Sequence, residues 1–91
     1  MLNRKFKTTK QFEKDFVIMQ KRKKEIKKLL DVMDMLITHK PLDIKYKNHP
    51  LVGNYHGRME CHIKSDWLLI YKIDDDTVIF ERTGTHSDLF E

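Results

Sequence analysis

The sequence predicts an α+β fold: two N-terminal helices packed on one face of a small antiparallel sheet. Apolar residues recur at helical spacing early in the chain, at Phe12, Phe16 and Met19 and again from Ile26 to Ile37. Three strand-like segments then follow one another between Arg58 and Thr83. Their links are short enough to impose an antiparallel meander.

Leu2–Lys7 alternates weakly and reads as an edge strand whose lysines discourage further pairing. Thr8, with Gln11 three residues on, offers a capping box for the first helix. Lys21-Arg22-Lys23-Lys24 falls near the end of that helix, where positive charge suits the dipole. The second helix is expected from Lys23 to His39. Its buried face holds Ile26, Leu29, Leu30, Met33, Leu36 and Ile37, and its wet face Lys27, Lys28, Asp31 and Asp34. Pro41 stops it, because proline has no N–H to give and clashes with the preceding turn. His39, at the helix end, fits a capping or dipole role. A short link between two helices gives an antiparallel hairpin.

Leu42–Gly57 has no clear period, and a loop this long in a compact domain is often functional. In Arg58–Lys64, Met59, Cys61 and Ile63 point one way and Arg58, Glu60, His62 and Lys64 the other. Trp67–Ile73 is nearly continuous in apolar residues, as a central strand requires. Asp74-Asp75-Asp76 marks a turn, and Val78–Thr83 is β-branched and aromatic.

A chain of 91 residues with 40% hydrophobic content supports one core, and so a single domain over 1–91. Charged residues at 35%, three Gly and two Pro exclude a low-complexity chain. No apolar run spans a bilayer, and the basic N-terminus lacks a signal-peptide apolar region. A single Cys rules out an internal disulfide framework, and the cytoplasm is the expected compartment. The net charge of +4 hides an asymmetry: residues 1–28 carry 11 Lys/Arg against 3 Asp/Glu. A basic N-terminal part suits RNA, DNA or a ribosome, and equally describes a solvated helix face.

Polar groups that are costly to bury gather around the meander: His62, Asp66, Arg82 and His86, with His49 just upstream. Imidazoles exchange protons near neutral pH, and a guanidinium can hold a phosphate bidentately. Together these make a kit for phosphodiester cleavage. Arg82 could instead form a cross-strand ion pair with Glu60 or Glu81. Gly84 breaks the last strand, and the turn should bring His86 beside Arg82. The histidines complete no metal-ligand motif, and acid–base use needs no metal, so no cofactor is expected. Trp67 and Tyr71 offer faces for base stacking, yet so apolar a strand places at least one of them in the core. Phe90 suits either the core or a nucleotide.

Three segments carry a family resemblance: Lys47-Asn48-His49-Pro50-Leu51, the run His62–Tyr71, and Glu81-Arg82-Thr83-Gly84-Thr85-His86-Ser87-Asp88-Leu89-Phe90. In these, and in the order of its elements, the chain resembles the YafQ branch of the RelE/ParE toxin superfamily over essentially its whole length. The resemblance implies a microbial ribonuclease-like fold. It also implies a toxin of a type II toxin–antitoxin pair that cleaves translated mRNA on the ribosome without a metal. The ribose 2′-OH attacks the adjacent phosphate, leaving a 2′,3′-cyclic phosphate or its 3′-phosphate product and a 5′-OH.

Carried over by position, the active set is His49, His62, Asp66, Arg82, His86 and Phe90. The implied general acid is His86, and the base is His49 or Asp66. Arg82 would stabilise the scissile phosphate, His62 would orient substrate or share the proton work, and Phe90, with Trp67, would contact the nucleotide. Lys21, Arg22, Lys23, Lys24, Lys27 and Lys28 would dock on ribosomal RNA. The implied partners are the ribosome, mRNA and a cognate antitoxin, with no membrane. The toxin would be monomeric alone and hetero-oligomeric with its antitoxin. The competing expectations are a non-enzymatic ParE-like toxin that inhibits DNA gyrase and a plain nucleic-acid-binding module carried by the basic helices.

Overall fold

The computed structural model describes residues 3–90, so Leu2 of the expected edge strand lies outside it. The elements are β1 (Lys5–Thr8), α1 (Lys10–Lys21), α2 (Ile26–Ile37), β2 (His49–Pro50), β3 (Met59–Lys64), β4 (Trp67–Asp74), β5 (Thr77–Gly84) and α3 (His86–Phe90). Single 3-10 turns at Ile44–Tyr46 and Gly53–Tyr55 flank β2. The sheet runs β1-β5-β4-β3-β2, with the expected antiparallel meander at its centre. It is not wholly antiparallel, because β1 pairs in parallel with β5 from Lys5 opposite Thr77 to Thr8 opposite Phe80. Among the described residues no helix is long and apolar enough to cross a membrane.

Both helices serve one face of the sheet. Phe12 and Met19 of α1 and Leu29, Val32 and Leu36 of α2 pack with Cys61, Ile63, Trp67, Leu69, Tyr71, Val78 and Phe80. Each of these strand residues points to the helices because side chains alternate along a strand. Burial pushes the Cys61 thiol up to about 12, so it behaves as a small hydrophobe. Leu30, expected inside, is 48% exposed, and Val32 fills the core instead. On the other face Leu68, Ile70 and Leu89 form a much smaller cluster, flanked by Leu51 and Tyr55.

The helix ends also differ from expectation. The cap of α1 is Thr9, whose hydroxyl accepts from the Phe12 N–H at 2.9 Å and donates to the Glu81 carbonyl at 2.9 Å. Thr8 remains in β1 and its hydroxyl donates to Glu13, while Gln11 reaches Asp15. Thr9 wins because one of its hydrogen bonds caps the helix and the other ties the helix start to β5. Lys23 (φ 59°) and His39 (φ 61°) both adopt the left-handed conformation just past a helix. Lys24 N–H then donates to the Met19 carbonyl, and Lys40 N–H to the Met35 carbonyl, closing each helix as a Schellman motif. Lys23 therefore ends α1 instead of opening α2. By the same token α2 is already closed before Pro41.

Candidate active site

The site forms on the face of the sheet that carries no long helix. Glu60 and His62 of β3 point there, opposite to Cys61 and Ile63. Antiparallel pairing sets His49 of β2 directly across from Glu60. The small cluster around Leu89 seats α3 against Leu68 and Ile70, and α3 brings His86 and Phe90. Four rings consequently line up. Ring centroids lie 6.2 Å apart for His49–His62, 6.0 Å for His62–His86 and 6.1 Å for His86–Phe90. Tyr55 closes the row edge-on to Phe90 at 5.5 Å. Phe90 remains 44% exposed, free to meet a ligand.

His86 is oriented by Asp66 in the β3–β4 turn. One oxygen, Asp66 Oδ1, accepts from the His86 backbone N–H at 3.0 Å and from Nδ1 at 2.7 Å. A carboxylate there requires the proton on Nδ1, which turns Nε2 outward. These two bonds, the backbone one foremost, hold the Asp66 carboxyl below its ordinary value.

The start of α3 is itself locked. Thr85 N–H donates to Asp88 Oδ2 at 2.9 Å and Asp88 N–H donates to Thr85 Oγ1 at 3.1 Å, a reciprocal capping box. Arg22 clamps Asp88 through two bonds of 2.7 and 3.0 Å. Arg22, and after it the Thr85 N–H, hold the Asp88 carboxyl far below the usual carboxylate range. Gly84 is needed here for space and not for a turn. A Cβ would stand 2.9 Å from the Asp88 Cβ.

At the other end of the row, His49 Nδ1 lies 2.6 Å from the Lys47 carbonyl, which can only accept. That fixes the proton on Nδ1 and aims Nε2 at Glu60 Oε1, 3.3 Å away. His62 Nε2 stands 3.6 Å from the same oxygen. The Glu60 side chain is only 6% exposed, so a buried carboxylate joins two imidazoles. Glu60 is the residue that reading the sequence missed. Its signal was available: it lies two positions before His62 on the same strand face.

Arg82 does not take the expected partners. Its Nε and Nη2 donate to the Asp15 carboxylate of α1 at 2.8 and 3.3 Å, and Glu81 pairs with Arg58. The cause is topological. A bulge between Ile70 and Tyr71 shifts the β4–β5 register, and β1 ends opposite Phe80. The β5 edge beyond Phe80 is thus open to α1, where buried Asp15 also accepts the Thr83 N–H. Arg82 meets Asp15, while His86 is bonded to Asp66. Asp15 foremost, and to a lesser degree Tyr55, raise the Arg82 pKa.

One further expectation needs correction. Trp67 is 1% exposed and its indole N–H donates to Thr83 Oγ1, so it is a core residue and offers no face to a nucleotide. Tyr71 is buried likewise and reaches Asn48, beside His49. Within the expected docking run, Arg22 is committed to Asp88 and Lys27 pairs with Asp31 at 3.2 Å. Lys21, Lys23 and Lys28 are exposed and Lys24 is half-buried. Among the described residues no group of three or more His, Cys, Asp or Glu is arranged to hold a metal ion.

The family described as bacterial toxins of type II toxin–antitoxin systems, YafQ, matches residues 4–91. The chain is 44% identical over 91 residues to the mRNA interferase toxin YafQ of Escherichia coli K12, covering 99% of each protein. It superposes with a TM-score of 0.91 on the toxin of the E. coli DinJ–YafQ toxin–antitoxin complex, at 43% identity, covering 99% of this chain and 100% of that one. A metal-bound toxin from Helicobacter pylori superposes with a TM-score of 0.88 at 42% identity, covering 96% of this chain and 99% of that one. In sequence and in fold, this chain belongs to the YafQ family of type II toxins.

Proposed function

We propose that the protein is an mRNA interferase: a ribosome-dependent, metal-independent endoribonuclease that acts as one toxin domain over residues 1–91. Its place of work is the cytoplasm, and a cognate antitoxin holds it in check. The observation that carries this reading is the row of three imidazoles, with Asp66 turning His86 Nε2 outward and Glu60 facing both His49 and His62.

Cleavage forms a bond from the ribose O2′ to phosphorus and breaks the bond from phosphorus to O5′. His49 takes the 2′-OH proton through Nε2, with Glu60 positioned to share it. Asp66 is the poorer base, since it is already engaged by His86 and held in its ionised form. His86 gives the proton that O5′ needs as it leaves. The products are a 2′,3′-cyclic phosphate and a 5′-OH. His62 orients the phosphate between the two. Arg82, tethered by Asp15 through Nε and Nη2, offers fixed positive charge against the negative charge that builds on the phosphoryl oxygens. Phe90 stacks against a base. Acid, base and fixed positive charge all come from side chains, which is why no metal is required.

The test is single-turnover cleavage of mRNA on programmed ribosomes, with and without a chelator at levels that leave the ribosomes intact. Cleavage within the translated frame that survives chelation is the expected result. Loss of cleavage, restored by zinc, would refute metal independence. Equal cleavage of free RNA would refute dependence on the ribosome.

A further inference from the structure

Beside His62 the surface opens into a groove of about 520 Å³ between α2, the 3-10 turn at Ile44–Tyr46 and the end of β3. Lys28, Lys45, Lys47 and Lys64 line it, with Tyr46. Asp31 is the one acidic residue in the lining, and Lys27 already neutralises it from outside. The volume lies within the ~300–1,000 Å³ of ordinary ligand sites.

We propose that this groove is an RNA subsite that binds the phosphates of nucleotides flanking the scissile bond. The proposal rests on the endoribonuclease reading above and names further substrate-binding residues for it. Two features favour RNA as the occupant. The groove is continuous with the site, because His62 belongs both to its lining and to the imidazole row. An RNA strand bent over His62 must leave on both sides. Phe90 stands at one end of the row, and the lysines line the groove that opens beside His62.

The second feature is that groove and base share a backbone segment. Lys47 holds the left-handed conformation (φ 48°), unusual for a residue with a side chain. That conformation directs its carbonyl to His49 Nδ1, while its side chain lines the groove. The turn before it is fixed by Asp43, whose side chain accepts the Lys45 N–H at 2.9 Å. Filling the groove therefore bears directly on the segment that orients His49. The Lys64–Glu25 pair at the rim is half-exposed, and such surface pairs are worth little, so a phosphate displaces Glu25 at small cost.

The experiment measures equilibrium binding of isolated toxin to a single-stranded RNA with 2′-deoxyribose at the cleavable position. Salt is varied, and the RNA is lengthened on one side of that position at a time. Lysines 28, 45 and 64 are replaced together (Lys28→Gln, Lys45→Gln, Lys64→Gln), all at exposed positions outside the core. The wild type should gain affinity when the RNA is lengthened on one particular side. The variant should lose that gain, and its log–log salt slope should fall by about 2, at ~0.7 per lost phosphate contact. Unchanged slope and unchanged length dependence would overturn the proposal. So would a variant that binds RNA normally but has lost affinity for antitoxin, because the groove would then belong to a protein partner. Cleavage by the wild type on programmed ribosomes is scored separately. If it is absent the endoribonuclease reading fails, whereas if it is present beside an unaltered variant only the groove assignment fails.

Discussion

The two faces of the sheet are built on opposite terms. On the helix face, twelve buried residues among those described, from two helices and three strands, interlock, and the sole cysteine is a spectator there. On the other face the buried cluster has three residues, Leu68, Ile70 and Leu89. The remaining area is given to groups that need protons and partners: Glu60, His62, His49 and His86. Strand β3 contributes to both through alternate residues. Stability and chemistry are therefore separated by the pleat itself, and a change on one face should leave the property of the other face intact.

The largest effects should show this separation. Phe80 is fully buried between α1 and the sheet, touching the rings of Phe6 and Phe12. Phe80→Ala should cost about 3–5 kcal/mol of folding free energy, read by urea unfolding. His86→Ala should leave the unfolding midpoint nearly unchanged. It should slow single-turnover cleavage by ~10²–10⁴-fold and remove the limb of the pH–rate profile that reports the acid. If His86→Ala unfolded the protein as readily as Phe80→Ala does, the faces would not be independent. A folded variant with wild-type rate and profile would pass the role of acid to His62 or His49.

Asp88 is where the two faces are tied, since it joins the start of α3 to the end of α1. Its folded pKa is depressed by Arg22 and by the Thr85 N–H. A depressed carboxylate contributes stability that is fully present above its unfolded value and is lost as the pH falls through the range below it. Asp88→Asn should therefore be less stable than wild type at neutral pH, and the gap should close on acidification below about pH 4, near the unfolded carboxylate value. Thermal unfolding across pH measures this. The same variant should also cleave more slowly, because α3 carries His86 and Phe90. A stability gap independent of pH would mean that the Arg22–Asp88 clamp is not what matters.

What could be read from the sequence follows the same division. The helix face was legible because it is periodic: every expected core position of α1, and all but Leu30 of α2, is at least half-buried. The meander was legible because Asp74-Asp75-Asp76 and Ser65-Asp66 separate contiguous strands. The parallel pairing of β1 with β5 was not, since its partner lies about 70 residues away and no local pattern marks it. For the same reason Asp15 could not be matched to Arg82, nor Arg22 to Asp88. The Thr85–Asp88 capping box is present in plain sequence, but the segment after Gly84 is too short for a helical period to mark it. For Trp67 and Tyr71 the apolar strand indicates that at least one is core, but no local pattern says which, and both are buried. The Thr83 hydroxyl that receives the Trp67 N–H inside the sheet becomes visible only once β4 and β5 are paired.

The smallest effect concerns the helix face alone and returns to the basic run at 21–24. Lys23 sits in the left-handed region (φ 59°) to close α1, where a side chain costs of order 1 kcal/mol that glycine does not incur. Glycine gives part of that back through the greater freedom of the unfolded chain. Lys23→Gly should therefore stabilise by roughly 0.5–1 kcal/mol, a rise of several degrees in Tm for a domain of this size. Lys23→Ala removes the charge but keeps the strain, so its Tm should stay near that of wild type. The pair thus separates conformation from charge. If Lys23 serves only to close the helix, both variants should cleave mRNA on ribosomes at the wild-type rate. If it docks on ribosomal RNA, both should weaken ribosome binding equally and reduce its salt dependence, whatever their Tm. A lower Tm for Lys23→Gly would show that the left-handed closure of α1 carries no strain to relieve.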